Sequence, residues 1–290
     1  MDTYGLIGWP VKHSLSPAMH NAAFEALNIK AEYKLFPVKP EELEDFLLNR
    51  KDVKGFNITV PHKVRALHFF LEGTTVSHPH AFNQAYLLAD AVNTVKRDGD
   101  QLECRNTDIQ GFREALINGL KFNPSNKCVF VFGCGGAGRA VIASLLEDGM
   151  DVRKIYVYDI NKLIIDDCKK HFFKEEFAGI VRQRLEFVSQ EQIQKYIRVS
   201  ELLVNATTVG MKEGDDSSVI DKNLLHKDLS VYDVVYNRET QLIKDAKALG
   251  LPTSGGLGML LYQGASAFEF WTGRRAPVDV MREALARAMK

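Results

Sequence analysis

The chain has 290 residues, 46% of them hydrophobic and 26% charged, with 37 basic and 37 acidic side chains. That length suits about two domains, and the balanced charge leaves no basic field to hold nucleic acid or an anionic membrane. No apolar run approaches the roughly 18 residues of a membrane span, a strand-like segment at 4–8 leaves no room for a signal peptide, and Cys104, Cys128, Cys134 and Cys168 lack metal-ligand spacing and read as reduced thiols of a cytoplasmic protein.

Strand-like and helix-like segments alternate from the start. Residues 4–8 read as a strand and 17–27 as a helix, with Ser16 as its cap and Pro17 at its first position. The segment His13-Ser14-Leu15-Ser16-Pro17 therefore sets two hydroxyls ahead of a helix. Those hydroxyls suit a carboxylate and equally suit plain capping. Residues 32–38 form a second strand and 40–48 a second helix. A short β-branched strand at 56–60 is stopped by Pro61, and Asn57 and Thr59 alternate on one of its faces. Lys63 follows at the mouth of the next helix, near the strand edge where open α/β sheets gather ligands, although most lysines are merely solvated. Residues 91–96 and 101–105 read as a hairpin around Asp98-Gly99. An amphipathic helix over 108–120 then leads out of this region, with Asp108 placed as its N-cap. His62, His68, His78 and His80 fit no zinc spacing and read as core or surface residues, so no metal is expected.

The second region opens on Val129-Phe130-Val131-Phe132, a buried strand running into Gly133-Cys134-Gly135-Gly136-Ala137-Gly138 and a helix over 137–148. Gly133, Gly135 and Gly138 have the spacing that lets a backbone turn tightly, approach a pyrophosphate and pack a helix on its strand. The next strand, 154–158, ends at Asp159, where a carboxylate can grip a ribose diol. Further strands are expected at 185–188, 202–204, 231–235 and near Thr253, with helices at 162–173 and 239–249. Alternation of this kind argues for parallel sheets with helices on both faces. Helices at 259–271 and 278–289 form a tail able to pack back on the first region. The fold class is thus α/β in two regions, 1–110 with the tail 260–290 and 111–259.

An ordered series of motifs spans nearly the whole chain: HSLSPAMHN at 13–21, GFNITVPHK at 55–63, AVNT at 91–94, NTD at 106–108 and GCGGAG at 133–138. NATTVGM at 205–211, DVVYN at 233–237 and GLGMLLYQGA at 256–265 complete it. Together they resemble the shikimate dehydrogenases, including the related quinate/shikimate enzymes. The resemblance implies a discontinuous substrate domain completed by C-terminal helices, a Rossmann-like cofactor domain and a catalytic cleft between them. It also implies reversible NAD(P)-dependent oxidation of shikimate on the route to chorismate and aromatic amino acids, with quinate as a second substrate.

By position, Lys63 and Asp108 correspond to the family's catalytic pair, and Ser14 and Ser16 to the hydroxyls that bind the ring carboxylate. Asn57, Thr59, Asn93, Asp108 and Gln263 fall where the ring hydroxyls are held, and Tyr236 falls beside the substrate. Gly133, Gly135, Gly136, Ala137, Gly138 and Asp159 correspond to the dinucleotide site. Thr207, Val209, Met211, Gly256 and Met259 lie in the loops that flank the nicotinamide. Where members that use NADP carry Asn-Arg-Thr, this chain has Asp159-Ile160-Asn161. A carboxylate without an arginine implies that NAD is preferred and NADP second, with Lys162 softening the difference.

Three positions depart from the family's common pattern: Gly255 in place of Asp, Arg238 in place of Pro, and the run Ser77-His78-Pro79-His80. The last of them bears on substrate choice rather than reaction type. An aminoshikimate-type enzyme acting on a modified ring, or a non-catalytic sensor, are the alternatives, and the intact lysine–aspartate pair argues against the sensor. The implied partners are small molecules only, and the implied assembly is a monomer or homodimer.

Overall fold

Five consecutive residues of the first strand, 4–8, are buried, the mark of a strand covered on both faces. This strand, β1 (Asp2–Gly8), runs into α1 (Ser16–Ala26), β2 (Ala31–Pro37), a 3₁₀ turn at Pro40–Glu42, α2 (Leu43–Asn49), β3 (Val53–Ile58) and α3 (Lys63–Glu72). After α4 (Gln84–Ala89) come β4 (Thr94–Asp98), β5 (Gln101–Arg105) and α5 (Thr107–Glu114). The computed structural model describes residues 1–72 and 84–289; the run Ser77-His78-Pro79-His80 lies outside the described residues.

The first sheet has the order β2-β1-β3-β4-β5. β2, β1 and β3 are parallel, as the alternation requires, but β4 and β5 are antiparallel, so the sheet is mixed. The reason is the short connection: Asp98 pairs with Gln101, leaving only Gly99-Asp100 in the turn, too short for a parallel crossover. The turn sits one residue beyond the expected Asp98-Gly99, and Gly99 supplies its positive φ of 59°.

The second unit begins within α5. Its elements are β6 (Cys128–Phe132), α6 (Gly136–Leu146), β7 (Lys154–Tyr158), α7 (Lys162–Phe172), α8 (Ala178–Arg184), β8 (Leu185–Phe187) and α9 (Ile193–Ile197). β9 (Leu202–Asn205), β10 (Ser230–Asp233), α10 (Gln241–Ala248) and β11 (Thr253–Ser254) follow. All its strands are parallel, in the order β11-β10-β9-β6-β7-β8. Succession runs outward from β6 in one direction through β7 and β8, and in the other through β9, β10 and β11. The β6/β9 boundary is therefore a topological switch point, where doubly wound sheets bind ligands.

Two last helices, α11 (Leu257–Thr272) and α12 (Val278–Ala288), end the chain. By compactness the chain divides into unit 1, Met1–Gly111 with Leu260–Lys290, and unit 2, Phe112–Met259. Within unit 1, α11 packs its aromatic side on the sheet and on α1. Trp271 touches Tyr4 and Tyr33 and donates its indole N–H to the Val95 carbonyl at 2.9 Å, and Phe268 meets Phe24. A Cβ at Gly55 would lie 2.6 Å from the Trp271 ring, so glycine makes room for the indole. Burial of one such ring is worth roughly 4–6 kcal/mol at most.

Two caps differ from expectation. Ser16 is the first helical residue of α1, not its cap; Leu15 stands at the cap position without a side-chain bond, and the Ser14 hydroxyl accepts from the Ser16 N–H at 3.3 Å. Asp108 lies inside the first turn of α5, where Asn106 Oδ1 accepts the Asp108 N–H at 3.1 Å. Asn106 thus does the capping and leaves the Asp108 carboxylate for other use. The expected helix over 108–120 is α5 followed by a π-helical stretch, Ala115–Gly119.

Candidate active site

Each unit carries its own cluster, at the edge where its parallel strands end. In unit 1, Ser14 and Ser16 follow β1, while Thr59 and Lys63 follow β3. Because β4 is antiparallel to both neighbours, Asn93 before β4 and Asp108 after β5 reach that same edge. Lys63 Nζ donates to Asp108 Oδ2 at 2.6 Å, with the side chains 12% and 7% exposed. The Lys63 carbonyl accepts from the Val92 N–H at 3.1 Å, which ties α3 to the segment carrying Asn93.

From Thr107, the residue before Asp108, runs a continuous buried polar network. Asn93 Oδ1 accepts the Thr107 N–H at 2.7 Å, and Asn93 Nδ2 donates to Thr107 Oγ1 at 3.0 Å and Gln263 Oε1 at 3.4 Å. Thr94 Oγ1 donates to Asn93 Oδ1 at 3.0 Å and accepts from Asn57 Nδ2 at 2.9 Å. The Tyr33 hydroxyl donates to Asn57 Oδ1 at 2.7 Å, which engages the Asn57 amide at both ends. Networks of this kind fix rotamers, and an unmade bond inside one is costly. Ser14 and Ser16 are 3.2 Å apart, oxygen to oxygen. One turn beyond Ser16, His20 stacks on Tyr33 at 4.4 Å, fully buried, with neither ring nitrogen partnered. Burial alone holds its imidazole down at about 3, so it is neutral.

Unit 2 places its candidates after β6, β7, β9, β10 and β11. Gly133 has a φ of +90°, and a Cβ at Gly138 would lie 2.1 Å from the Gly133 carbonyl oxygen. Above Gly135 nothing lies within 4 Å, and α6 starts there without a side-chain cap. An open turn on an uncapped helix N-terminus is a cradle for a phosphate, so these residues fit a dinucleotide. Gly136, Ala137 and Gly138 form the first turn of α6.

Asp159 is built into the turn: Oδ2 accepts the Cys134 N–H and Oδ1 the Asn161 N–H, both at 2.9 Å. Ile160 beside it is 91% exposed. Arg139, buried in α6, donates to the Cys134 carbonyl and pairs with Asp167 of α7, which fixes the turn from below. Cys134 and Cys168 are free and buried, and their mutual hydrogen bond together with burial pushes the Cys134 thiol far up, so it stays a thiol.

Thr207 and Val209 belong to the loop after β9. Asn205 Oδ1 accepts from the Thr207 N–H at 3.0 Å and its hydroxyl at 2.7 Å, and Thr207 Oγ1 accepts the Val209 N–H at 3.1 Å. Asn205 donates in turn to Asp233, whose carboxylate also accepts from Thr240 and the Val235 N–H. Burial pushes the Asp233 carboxyl up, against the lowering effect of those three bonds. Met211 is exposed, Tyr236 is half-buried after β10, and Met259 is buried in the first turn of α11. Gly256 is required: a Cβ there would lie 2.0 Å from the Val234 carbonyl oxygen. At Gly255 the nearest atom would be 3.7 Å away, so this departure from the family pattern is not a steric one.

A model of the shikimate dehydrogenase substrate binding domain matches residues 6–95, and one of the shikimate 5'-dehydrogenase C-terminal domain matches 256–286. The shikimate dehydrogenase (NADP(+)) of Methanopyrus kandleri is 38% identical, covering 100% of this chain and 96% of the relative. The chain belongs to the shikimate dehydrogenase family. Among solved structures, Thermus thermophilus shikimate 5-dehydrogenase in complex with NADP(H) and shikimate is 34% identical with a TM-score of 0.81, covering 99% of this chain and 100% of that one. The quinate dehydrogenase of Corynebacterium glutamicum in complex with NAD is 31% identical with a TM-score of 0.82, covering 99% of each. The mixed first sheet and doubly wound second sheet are thus the shikimate dehydrogenase fold.

Several residues that organise these clusters escape sequence reading. Thr94 and Thr107 lie inside quoted motifs but look like strand and cap residues. Tyr33 is an aromatic in a strand, indistinguishable from core. Asn205 and Asp233 touch each other only once β9 and β10 pair. Among the described residues no group of three His, Cys, Asp or Glu is placed to hold a metal, and no helix is long and apolar enough to cross a membrane.

Proposed function

We propose that the chain catalyses the reversible, nicotinamide-dependent oxidation of shikimate to 3-dehydroshikimate, with NAD preferred over NADP and quinate as a second substrate. The observation that carries this reading is the Lys63–Asp108 pair, 2.6 Å apart and shielded from solvent, with Asp108 next in the chain to Thr107, which bonds Asn93 and Gln263. Oxidising a secondary alcohol requires a group that removes the hydroxyl proton, and the reverse reaction requires one that returns it. Lys63 Nζ is that group; Asp108 holds the lysine in place and accepts a second hydrogen bond from the ring. Ser14 and Ser16 offer hydroxyl donors to the ring carboxylate, and Asn93, Thr59 and Gln263 select the ring hydroxyls. The nicotinamide, when bound, supplies the hydride acceptor or donor. Tyr236, Thr207, Val209, Met211, Gly256 and Met259 line its side of the unit 2 edge in this reading, and the role assigned is the cytoplasmic route to chorismate.

The cofactor preference rests on Asp159. Its carboxylate is anchored by two backbone N–H groups and cannot swing away, and the residue after it is Ile160, with no guanidinium for a 2′-phosphate. The relative from Methanopyrus is named for NADP(+), so this chain would differ from it in that preference. A fixed carboxylate beside a phosphate disfavours NADP by about 1–3 kcal/mol, or about 5–150-fold in kcat/KM. Following reduced nicotinamide with shikimate and with quinate against both cofactors tests the whole reading. Turnover of neither acid would reject the function; kcat/KM for NADP equal to or above that for NAD would reject the preference alone.

A further inference from the structure

We propose that Arg238 is a positioning residue for the nicotinamide half of the dinucleotide site, acting through the loop after β9. The inference rests on the functional reading above and adds a residue that it does not use.

The topology assigns the two halves of a dinucleotide. The glycine-rich turn after β6 takes the phosphates, and Asp159 after β7 marks one nucleoside. Strand succession reverses at β6, so the other half must extend over the ends of β9 and β10. The chain there is irregular backbone over 206–217, exposed at Met211, Lys212, Glu213 and Gly214. Its near end is anchored by Asn205, as described above. Gly210, with a φ of +81°, donates its N–H to Asp215 Oδ2 at 3.0 Å, which folds the loop back on itself.

Its far end is held by the segment after β10. Asn237 Nδ2 donates to the Met211 carbonyl at 2.9 Å. Arg238 donates through Nη1 to the carbonyl of Lys212 and, at 2.9 Å, to that of Asp215, and through Nη2 to Asp216 Oδ1 at 3.3 Å. Its side chain is 21% exposed, whereas that of Asp216 is 71% exposed. Two of the three acceptors are neutral backbone carbonyls, so the contact is a clamp on the loop's path and more than a surface ion pair. Only a guanidinium fork offers donors in the directions needed for all three at once; an ammonium is a single point, and proline has neither a side-chain donor nor an N–H. Arg238 stands at one of the positions where this sequence departs from the family's common pattern. A loop ordered before binding spares the ligand the entropy of ordering it.

The test is binding of NAD⁺ and of ADP-ribose, which lacks the nicotinamide, to the full chain without substrate, by titration calorimetry. Arg238→Met keeps the aliphatic stem and removes the donors; Arg238→Lys restores one. The expected result is about 5–20-fold weaker NAD⁺ binding in Arg238→Met, with ADP-ribose within about two-fold of wild type and Arg238→Lys between the two. An unchanged NAD⁺ affinity overturns the assignment. So does a parallel loss for ADP-ribose, which would mean general damage to unit 2. A wild-type chain that bound neither NAD⁺ nor NADP⁺ would overturn the functional reading and this inference with it; wild-type binding with Arg238→Met unmoved overturns this inference alone.

Discussion

The residues that meet at the sheet edge of unit 1 are held by side chains bonding side chains, from Tyr33 through Asn57, Thr94 and Asn93 to Thr107 and Gln263. At the glycine turn of unit 2 the working surface is backbone: an uncapped helix start, glycines without room for a Cβ, and beside them a carboxylate pinned by two amides. The difference fits the ligands proposed for the two edges. A cyclic polyol with one carboxylate is told from its isomers by directed donors and acceptors, which only side chains supply in variety. A pyrophosphate needs close approach and aligned N–H dipoles, which side chains would obstruct. Unit 1 should therefore lose chemistry when a functional group is removed, and the glycine turn of unit 2 should lose binding when an atom is added.

The largest expected effect lies in unit 1. Lys63→Ala should lower kcat by about 10²–10⁴, the usual worth of a positioned acid–base group, with substrate KM within a few-fold. Asp108→Asn should damage both parameters, since it removes the charge and leaves one acceptor oxygen where the lysine and the substrate need two. The double variant should lose far less than the product of the single losses, because residues that act as one unit are non-additive. An ionisation present in the pH profile of wild-type kcat should disappear in Lys63→Ala. Near-normal kcat in that variant would move the proton-transfer role away from lysine and weaken the contrast between the units.

How much of this was legible in the sequence follows the same division. The glycine turn and Asp159 are contiguous or nearly so, and their job depends on backbone geometry that glycine spacing encodes directly. Lys63 and Asp108 were legible through their motifs, but the reading of Asp108 as a helix cap was wrong. Helix-start rules rank Asp and Asn alike, and only the fold shows Asn106 taking that bond. The Tyr33–Asn57 contact joins residues 24 apart on strands separated by β1; no local pattern predicts it. The helices α8 and α9 went unread because they are short, without a long apolar period. Arg238 was visible only as a departure, since its partners lie 22 to 26 residues away in an irregular loop.

In unit 2 the comparison is sharpened by adding a methyl group. Gly138→Ala would place its Cβ 2.1 Å from the Gly133 carbonyl oxygen, and that neighbour is backbone that cannot rotate aside. Forcing such an atom in costs about 1–3 kcal/mol, and the turn must move away from its helix. Dinucleotide affinity should fall by about 5–150-fold, while shikimate affinity, measured without cofactor, should not change. Gly135→Ala is the control: its Cβ would meet no protein atom within 4 Å, so stability should hold and only dinucleotide binding should suffer. Equal loss of stability in both variants would mean that the turn is a folding element rather than a ligand cradle.

The smallest effect is one of pH, and it belongs to unit 1 because that unit's polar network rests on an aromatic layer containing His20. The folded protein holds this imidazole at about 3, whereas an unfolded chain has it near 6.5. Below pH 6.5 the unfolded state therefore binds a proton that the folded state refuses. Stability is complete above that value and is lost as the pH falls from about 6.5 towards 3, by about 1.4 kcal/mol per pH unit once well below 6.5. At pH 5.5 the loss from this one residue is about 1.4 kcal/mol. Neither Tyr33 nor Trp271, which pack on the ring, changes charge in this range. His20→Leu should pay a packing cost that is equal at pH 8 and pH 5.5 and should remove this part of the acid sensitivity. Urea unfolding at the two pH values measures the difference directly. A His20→Leu chain that lost as much stability as wild type between pH 8 and pH 5.5 would place the acid sensitivity elsewhere and leave His20 as packing alone.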